Sequence, residues 1–91
     1  MAQTIFVKII GKVQGVGYRY FTREQAKKLK VYGWVRNCED GSVEAMFQGE
    51  EKQIEMLLQS CKQGPSFASV HELKISPQEN PSLFSDFSIK Y

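Results

Sequence analysis

Arg19 closes a segment, Gln14-Gly15-Val16-Gly17-Tyr18-Arg19, whose residue types suit the capture of an anion. Two glycines in a loop tolerate left-handed backbone and let successive N–H groups turn inward. Where such a loop runs from a strand into a helix, the positive end of the helix dipole faces the same space. The guanidinium of Arg19 adds a planar fork of donors that matches phosphate oxygens better than a lysine ammonium does. The expected ligand is therefore a phosphoryl group, held by the backbone amides of Gln14, Gly15, Val16, Gly17, Tyr18 and Arg19 and by the Arg19 side chain. The turn is not a nucleotide loop. It lacks Gly-x-x-x-x-Gly-Lys-Ser/Thr, and Tyr20 stands where Gly-x-Gly-x-x-Gly needs its third glycine. Taken alone, it also suits an ordinary turn between a strand and a helix.

The surrounding pattern supplies both elements that this loop needs. Thr4 to Ile10 is rich in β-branched and aromatic residues and predicts a first strand, with Gly11 where it bends or ends. Arg19 to Lys30 predicts a helix with Phe21, Ala26 and Leu29 turned inward. Thr22 and Gln25 have capping-box spacing, while Tyr18 offers an earlier start. Trp34 to Cys38 and Ser42 to Gln48 predict two antiparallel strands joined at Asp40-Gly41, the second alternating Val43, Ala45 and Phe47 against Glu44 and Gln48. Ile54, Leu57, Leu58 and Cys61 recur at i, i+3, i+4 and i+7 within Glu50 to Lys62, which predicts a second amphipathic helix. Gly64-Pro65 ends it, with Gly64 suited to a left-handed cap. Ala68 to Ile75 predicts a fourth strand in which Val70, Leu73 and Ile75 break strict alternation, the mark of a bulge or twist. Pro77, Asn80 and Pro81 mark a loop, and Phe87, Ile89 and Tyr91 alternate with Ser88 and Lys90 in a terminal strand.

The order βαββαβ plus one short C-terminal strand predicts an α+β fold, a ferredoxin-like split βαβ sandwich. Its sheet is antiparallel-dominated, with two helices on one face. A right-handed crossover then sets the glycine loop at one end of the sheet, beside the N-terminus of the first helix.

With 91 residues, 42% hydrophobic and 24% charged, the chain has the make-up of a single domain, residues 1–91, with one core and no linker. A net charge of +2 is too mild for a nucleic-acid partner, which calls for a concentrated basic stripe. The stretch from Met1 to Lys8 lacks a basic segment followed by a long apolar run, so neither export nor membrane insertion is expected and the cytoplasm is. Cys38 and Cys61 are too far apart for a Cys-x-x-Cys pair, and His71 has no ligand-spaced neighbour. No metal site is expected, and both thiols read as reduced structural residues.

The two motifs together resemble a known family. Gly11-Lys12-Val13-Gln14-Gly15-Val16-Gly17-Tyr18-Arg19 closely resembles the signature loop of acylphosphatases, as does the later Gly33-Trp34-Val35-Arg36-Asn37 with Asp40-Gly41-Ser42-Val43-Glu44. Gly49, Gly64-Pro65, Ala68 with Val70, and Phe87-Ser88-Ile89 extend the resemblance over nearly the whole chain. Tyr18 stands where many members carry phenylalanine, which keeps the ring and adds a hydroxyl. The resemblance implies hydrolysis of the carboxyl-phosphate bond of acyl phosphates to a carboxylate and inorganic phosphate. It further implies Arg19 as the phosphate-binding residue, Asn37 as the residue that positions water, and no cofactor. The chemistry suits so sparse a set. An asparagine can accept a hydrogen bond from water through its carbonyl and donate one through its amide. A carboxylate leaving group, whose conjugate acid has a pKa of about 4, departs without a general acid.

A non-catalytic module is the competing expectation, because split βαβ folds also serve RNA binding and regulation. The third strand, Val43-Glu44-Ala45-Met46-Phe47, lacks the aromatic run of RNA-recognition strands, which disfavours that partner. A regulatory acylphosphatase-like domain, of the kind that resembles parts of larger carbamoyl-handling proteins, is the other alternative. Trp34, Phe47, Phe21 and Phe87 are assigned to the core, and Arg23, Lys27, Lys28 and Lys30 to a solvated helix face. The partners expected are a small acyl phosphate and inorganic phosphate, with a monomer as the default state.

Overall fold

Alternation along the first strand decides how the sheet is covered. Ile5, Val7 and Ile9 are buried, while Phe6, Lys8 and Ile10 between them are only partly covered, so one face of the strand meets a core. The computed structural model describes residues 2–79 and 81–91. Met1 and Asn80, read above as part of the N-terminal stretch and of a loop, lie outside the described residues. In chain order the elements are β1 (Ala2–Lys12), α1 (Tyr18–Lys28), β2 (Tyr32–Asn37), β3 (Val43–Glu50), α2 (Glu51–Gln63), β4 (Ser69–Pro77) and β5 (Phe87–Lys90). The strands lie in the order β4-β1-β3-β2-β5. Every neighbouring pair is antiparallel except β2 with β5. This is the expected βαββαβ order with a further strand.

Both helices cover the face that carries Ile5, Val7 and Ile9. Tyr18 and Ala26 of α1 and Ile54, Leu57 and Cys61 of α2 join Val35, Val43, Ala45, Phe47 and Phe87 in one buried cluster. Each leucine or isoleucine fully buried there contributes about 1.5–3 kcal/mol relative to exposure. Burial pushes the Cys61 thiol up to about 12, so it remains a neutral apolar filler. No helix among the described residues is long and apolar enough to cross a membrane.

The edge strand β4 is irregular where its broken alternation suggested. Ile10 pairs with Glu72 but Gly11 pairs with Val70, which leaves His71 as the extra residue of a bulge. At Gly11 a Cβ would collide with the Ser69 carbonyl oxygen, so the close approach of the two chains excludes a side chain. At the other end of the sheet, Gln48 departs from the polar, outward role expected of it. It is buried, its Nε2 donating to Thr4 Oγ1 at 3.0 Å and to the Ser82 carbonyl at 2.9 Å. The Phe84 N–H donates to its Oε1 at 2.9 Å. This clasp holds the strap that delivers β5 to the sheet.

Several local expectations are corrected. α1 opens at Tyr18 with Gly17 as its N-cap and no side-chain cap. Thr22 lies a turn inside the helix and donates to the Tyr18 carbonyl at 2.9 Å, so Thr22 and Gln25 form no capping box. The buried stripe of α1 is Tyr18, Thr22 and Ala26, while Phe21 and Leu29 are half-buried beside it. Trp34 is not a core residue, because the alternation of β2 gives Gly33 and Val35 to the helix side. It lies on the uncovered face, edge-on to Phe6 at 6.5 Å, with Arg36 and Lys90 over its ring at 5.1 and 4.6 Å. Gly64 has φ 67 but ψ −178, a positive φ without the left-handed helical ψ. Pro65 is the reason, since proline forces the residue before it to an extended ψ.

The hydroxyl that distinguishes Tyr18 from phenylalanine has a defined partner. It donates to the Cys61 carbonyl at 2.7 Å, in the last turn of α2, where helix carbonyls lack an intrahelical donor. Burial pushes the phenol pKa upward, which keeps the hydroxyl protonated as a donor. Tyr18→Phe is expected to lower stability by about 1 kcal/mol in urea unfolding. An unchanged midpoint would show that this bond between α1 and α2 adds nothing.

Candidate active site

Strand register sets the site at one end of the sheet. Val43 at the start of β3 pairs with Ile9 of β1 on one side and with Asn37 of β2 on the other. The loop that follows β1 therefore leaves the sheet near the end of β2. Asn37 shares the helix-side face with Val35, two residues earlier. On the outer side of β2, Val35 pairs with Ile89 and Arg36 with Lys90, so Tyr91 arrives beside Asn37.

These segments enclose a pocket of about 240 Å³. Gly15, Gly17, Tyr18 and Arg19 line one side and Asn37 another, with Val13, Tyr20, Ile89 and Tyr91 completing it. The structure thus brings Arg19 and Asn37 together with three other residues of the glycine loop. Gln14 and Val16 do not line it: Val16 packs against the core, and the Gln14 side chain reaches the β2–β3 hairpin. Tyr20, Ile89 and Tyr91 were not foreseen as site residues. Alternation placed Ile89 and Tyr91 on one face, but nothing local announced the parallel pairing with β2.

The loop turns on two left-handed glycines. Gly15 has φ 72 and Gly17 φ 78 with ψ 20. A Cβ at either would meet nothing within 4 Å, so conformation and not space demands glycine there. The Phe21 N–H bonds the Gly17 carbonyl at 3.0 Å and opens the helical ladder. The N–H groups of Tyr18, Arg19 and Tyr20 precede it and have no intrahelical acceptor. No acidic residue occupies the first turn of α1 to compete for this positive end.

Among the described residues no carboxylate forms an ion pair with Arg19. Its guanidinium carbon instead lies 5.1 Å from the Tyr91 ring centroid, a cation–π contact that orients the fork without neutralising it. No group of three or more His, Cys, Asp or Glu side chains among the described residues is placed to hold a metal. A larger groove of about 900 Å³ opens elsewhere, lined by Thr4, Tyr32, Gln48 and Leu83 among others. Its lining is mostly apolar, and Lys30 meets there the start of α2, where Glu51 already occupies the first turn and counters the positive helix end.

The hairpin that presents Asn37 is stiffened by Asp40. Asp40 Oδ1 accepts the Ser42 hydroxyl at 2.6 Å and the Ser42 N–H at 3.0 Å, while Oδ2 meets Lys8 Nζ at 3.0 Å. Across β2 and β3, Arg36 Nε and Nη2 donate to Glu44 Oε1 at 3.0 and 2.8 Å. The Arg36 guanidinium holds the Glu44 carboxyl below its ordinary range. Burial raises the Cys38 thiol above its usual value, which keeps it neutral beside Asn37.

A small α+β protein with a main-chain anion loop, one arginine and a facing asparagine is a compact phosphoryl-handling scaffold. A family model described as acylphosphatase matches residues 5–89. An acylphosphatase of Rhodospirillum rubrum is 49% identical over 79 residues, covering 87% of this chain and 87% of that protein. An acylphosphatase of Methanothrix thermoacetophila is 45% identical over 91 residues, covering 100% of both. The crystal structure of acylphosphatase from Bacillus subtilis matches with a TM-score of 0.95 at 34% identity, over 100% of both chains. The chain belongs to the acylphosphatase family and is a hydrolase of acyl phosphates.

The Asp40 turn has a pH signature. The Ser42 hydroxyl and N–H, and then Lys8, hold the Asp40 carboxyl far below the usual carboxylate range. A depressed folded pKa stabilises above the unfolded value of about 4, and the contribution is lost as pH falls through the folded value. The melting-temperature gap between the wild type and Asp40→Asn is expected to be widest above pH ~5 and to close steadily toward pH ~2. A gap independent of pH would show that the turn does not depend on the charged carboxylate.

Proposed function

We propose that the pocket between Arg19 and Asn37 is the hydrolytic centre. The backbone N–H groups of the loop from Gln14 to Arg19 and the Arg19 guanidinium bind the phosphoryl oxygens, and Asn37 orients the attacking water. The observation that supports this most is convergence: Arg19, Asn37 and the uncapped first residues of α1 line one small pocket. Water attacks phosphorus, the bond from phosphorus to the acyl oxygen breaks, and the carboxylate leaves with the electron pair. The proton of the water passes to a phosphoryl oxygen of the substrate, because Asn37 has no basic lone pair to take it.

Phosphoryl transfer passes through a loose transition state in which positioning and charge stabilisation supply most of the acceleration. The leaving group supplies the rest of the ease, since an ordinary carboxylate needs no proton to depart. A single domain acting as a cytoplasmic monomer completes the proposal. In support of it, one hydrophobic cluster draws on every element but β4, whose partly buried Val70 and Leu73 pack against it, and both cysteines are unpaired. An RNA-binding role is disfavoured by the uncovered face, where Arg36 and Lys8 are engaged by Glu44 and Asp40.

Arg19→Ala is expected to cut kcat/KM for a synthetic aryl acyl phosphate by about 10³- to 10⁵-fold, the range for arginines at phosphoryl transition states. Retention of near wild-type turnover by the folded variant would remove Arg19 from the mechanism. Asn37→Ala is expected to lower kcat by about 10²- to 10³-fold, the scale of one preorganised neutral group, while competitive inhibition by inorganic phosphate persists. Equal loss of turnover and phosphate binding would make Asn37 a structural residue.

A further inference from the structure

We propose that Gln14 is a positioning residue whose side chain fixes the anion loop relative to Asn37. This rests on the reading of the pocket as the hydrolytic centre. Gln14 Nε2 donates to the Cys38 carbonyl at 2.7 Å and to the Ser42 carbonyl at 2.9 Å. Both hydrogens of the carboxamide are thereby engaged. Gln14 immediately precedes Gly15 of the loop, and Cys38 immediately follows Asn37. One side chain therefore joins the neighbour of the cradle to the neighbour of the water-orienting amide, across 24 residues of sequence.

The two acceptors are well chosen for this purpose. They flank the mouth of the β2–β3 hairpin, where the Cys38 N–H donates to the Ser42 carbonyl at 2.9 Å. The Gly41 N–H also donates to the Cys38 carbonyl, at 3.2 Å. Each carbonyl therefore has a backbone donor of its own, and neither is orphaned when Gln14 is removed. A bond whose loss strands no buried polar group contributes little to stability. What it does contribute is geometry, because it ties the loop after β1 directly to the end of β2, two segments that the sheet joins through β3. The amides and Arg19 grip the phosphorus centre, and Asn37 holds the water that must approach it in line. Misplacement of one relative to the other by about 1 Å costs about 100-fold in rate.

The test uses Gln14→Met, which keeps the length of the side chain and removes its donors. Its kcat for an aryl acyl phosphate is expected to fall about 10- to 100-fold, while the inhibition constant for inorganic phosphate changes less than about threefold. In an Asn37→Ala background the same substitution is expected to cost less than about threefold more, because a residue that acts through Asn37 has nothing left to position. Gln14→Glu, equal in length and without donors when ionised, should reproduce the loss. Melting curves establish that each variant is folded. Unchanged kcat, or an equal further loss in the Asn37→Ala background, would overturn the proposal. So would failure of both Gln14 variants to fold, which would make the residue a fold determinant. An enzyme sensitive to Arg19 and Asn37 but indifferent to Gln14 sinks this inference alone, whereas indifference to Arg19→Ala sinks the underlying assignment.

Discussion

Cross-strand register carries the whole arrangement. Val43 stands in register between Ile9 and Asn37, so these positions of β1 and β2 lie two strand spacings apart, about 10 Å. The glycine loop crosses that interval as it rises from β1 to α1, and in doing so it passes Asn37. A slip of one residue in the β2–β3 pairing would turn Asn37 to the uncovered face and bury Arg36 or Trp34 among the helices. Burial of Val35, Val43, Ala45 and Phe47 on the helix side forbids that slip. The catalytic register is thus held by core packing, with the Asp40 turn and the Arg36–Glu44 pair reinforcing it from the solvent side.

That arrangement explains how so few side chains suffice. The proposed binding groups are mostly main chain, set by two positive-φ glycines and by the start of α1, an arrangement that needs no reorganisation to receive an anion. Tyr18 stands at the junction of scaffold and site. It lines the pocket through its place at the helix start, and it locks α1 to α2 through its hydroxyl. The more distant Gln48 clasp settles the strap before β5, and β5 in turn brings Tyr91 over Arg19. Core, clasp and pocket are therefore one mechanical unit.

Much of this was legible in the residues alone, for identifiable reasons. α2 shows its apolar stripe at i, i+3, i+4 and i+7, and Asp40-Gly41 marks a tight hairpin, because both are local signals with a fixed period. The broken alternation of Val70, Leu73 and Ile75 reported the bulge at His71 for the same reason. Errors arose where a distant partner decided the outcome. Trp34 looked like core until β2 proved to give its other face to the helices. Thr22 had the spacing of a cap, but the left-handed turn at Gly17 had already begun the helix one turn earlier. Tyr91 and the Gln14 side chain were missed as parts of the site because parallel pairing to β2 and carbonyl acceptors on a hairpin leave no mark in sequence. Arg19 and Asn37 came into view through their motifs, whose juxtaposition depends on β3 between them.

On the proposed mechanism, a single tetrahedral anion is gripped by the loop from Gln14 to Arg19 within reach of Asn37. Titration of isotopically labelled protein with inorganic phosphate, followed by amide chemical shifts, tests it directly. The backbone amides of Gly15, Val16, Gly17, Tyr18 and Arg19 should shift most, and together with the Asn37 side-chain amide they should saturate along one binding curve. Shifts concentrated around Tyr32, Gln48 and Leu83, with the glycine loop and Asn37 unmoved, would contradict it.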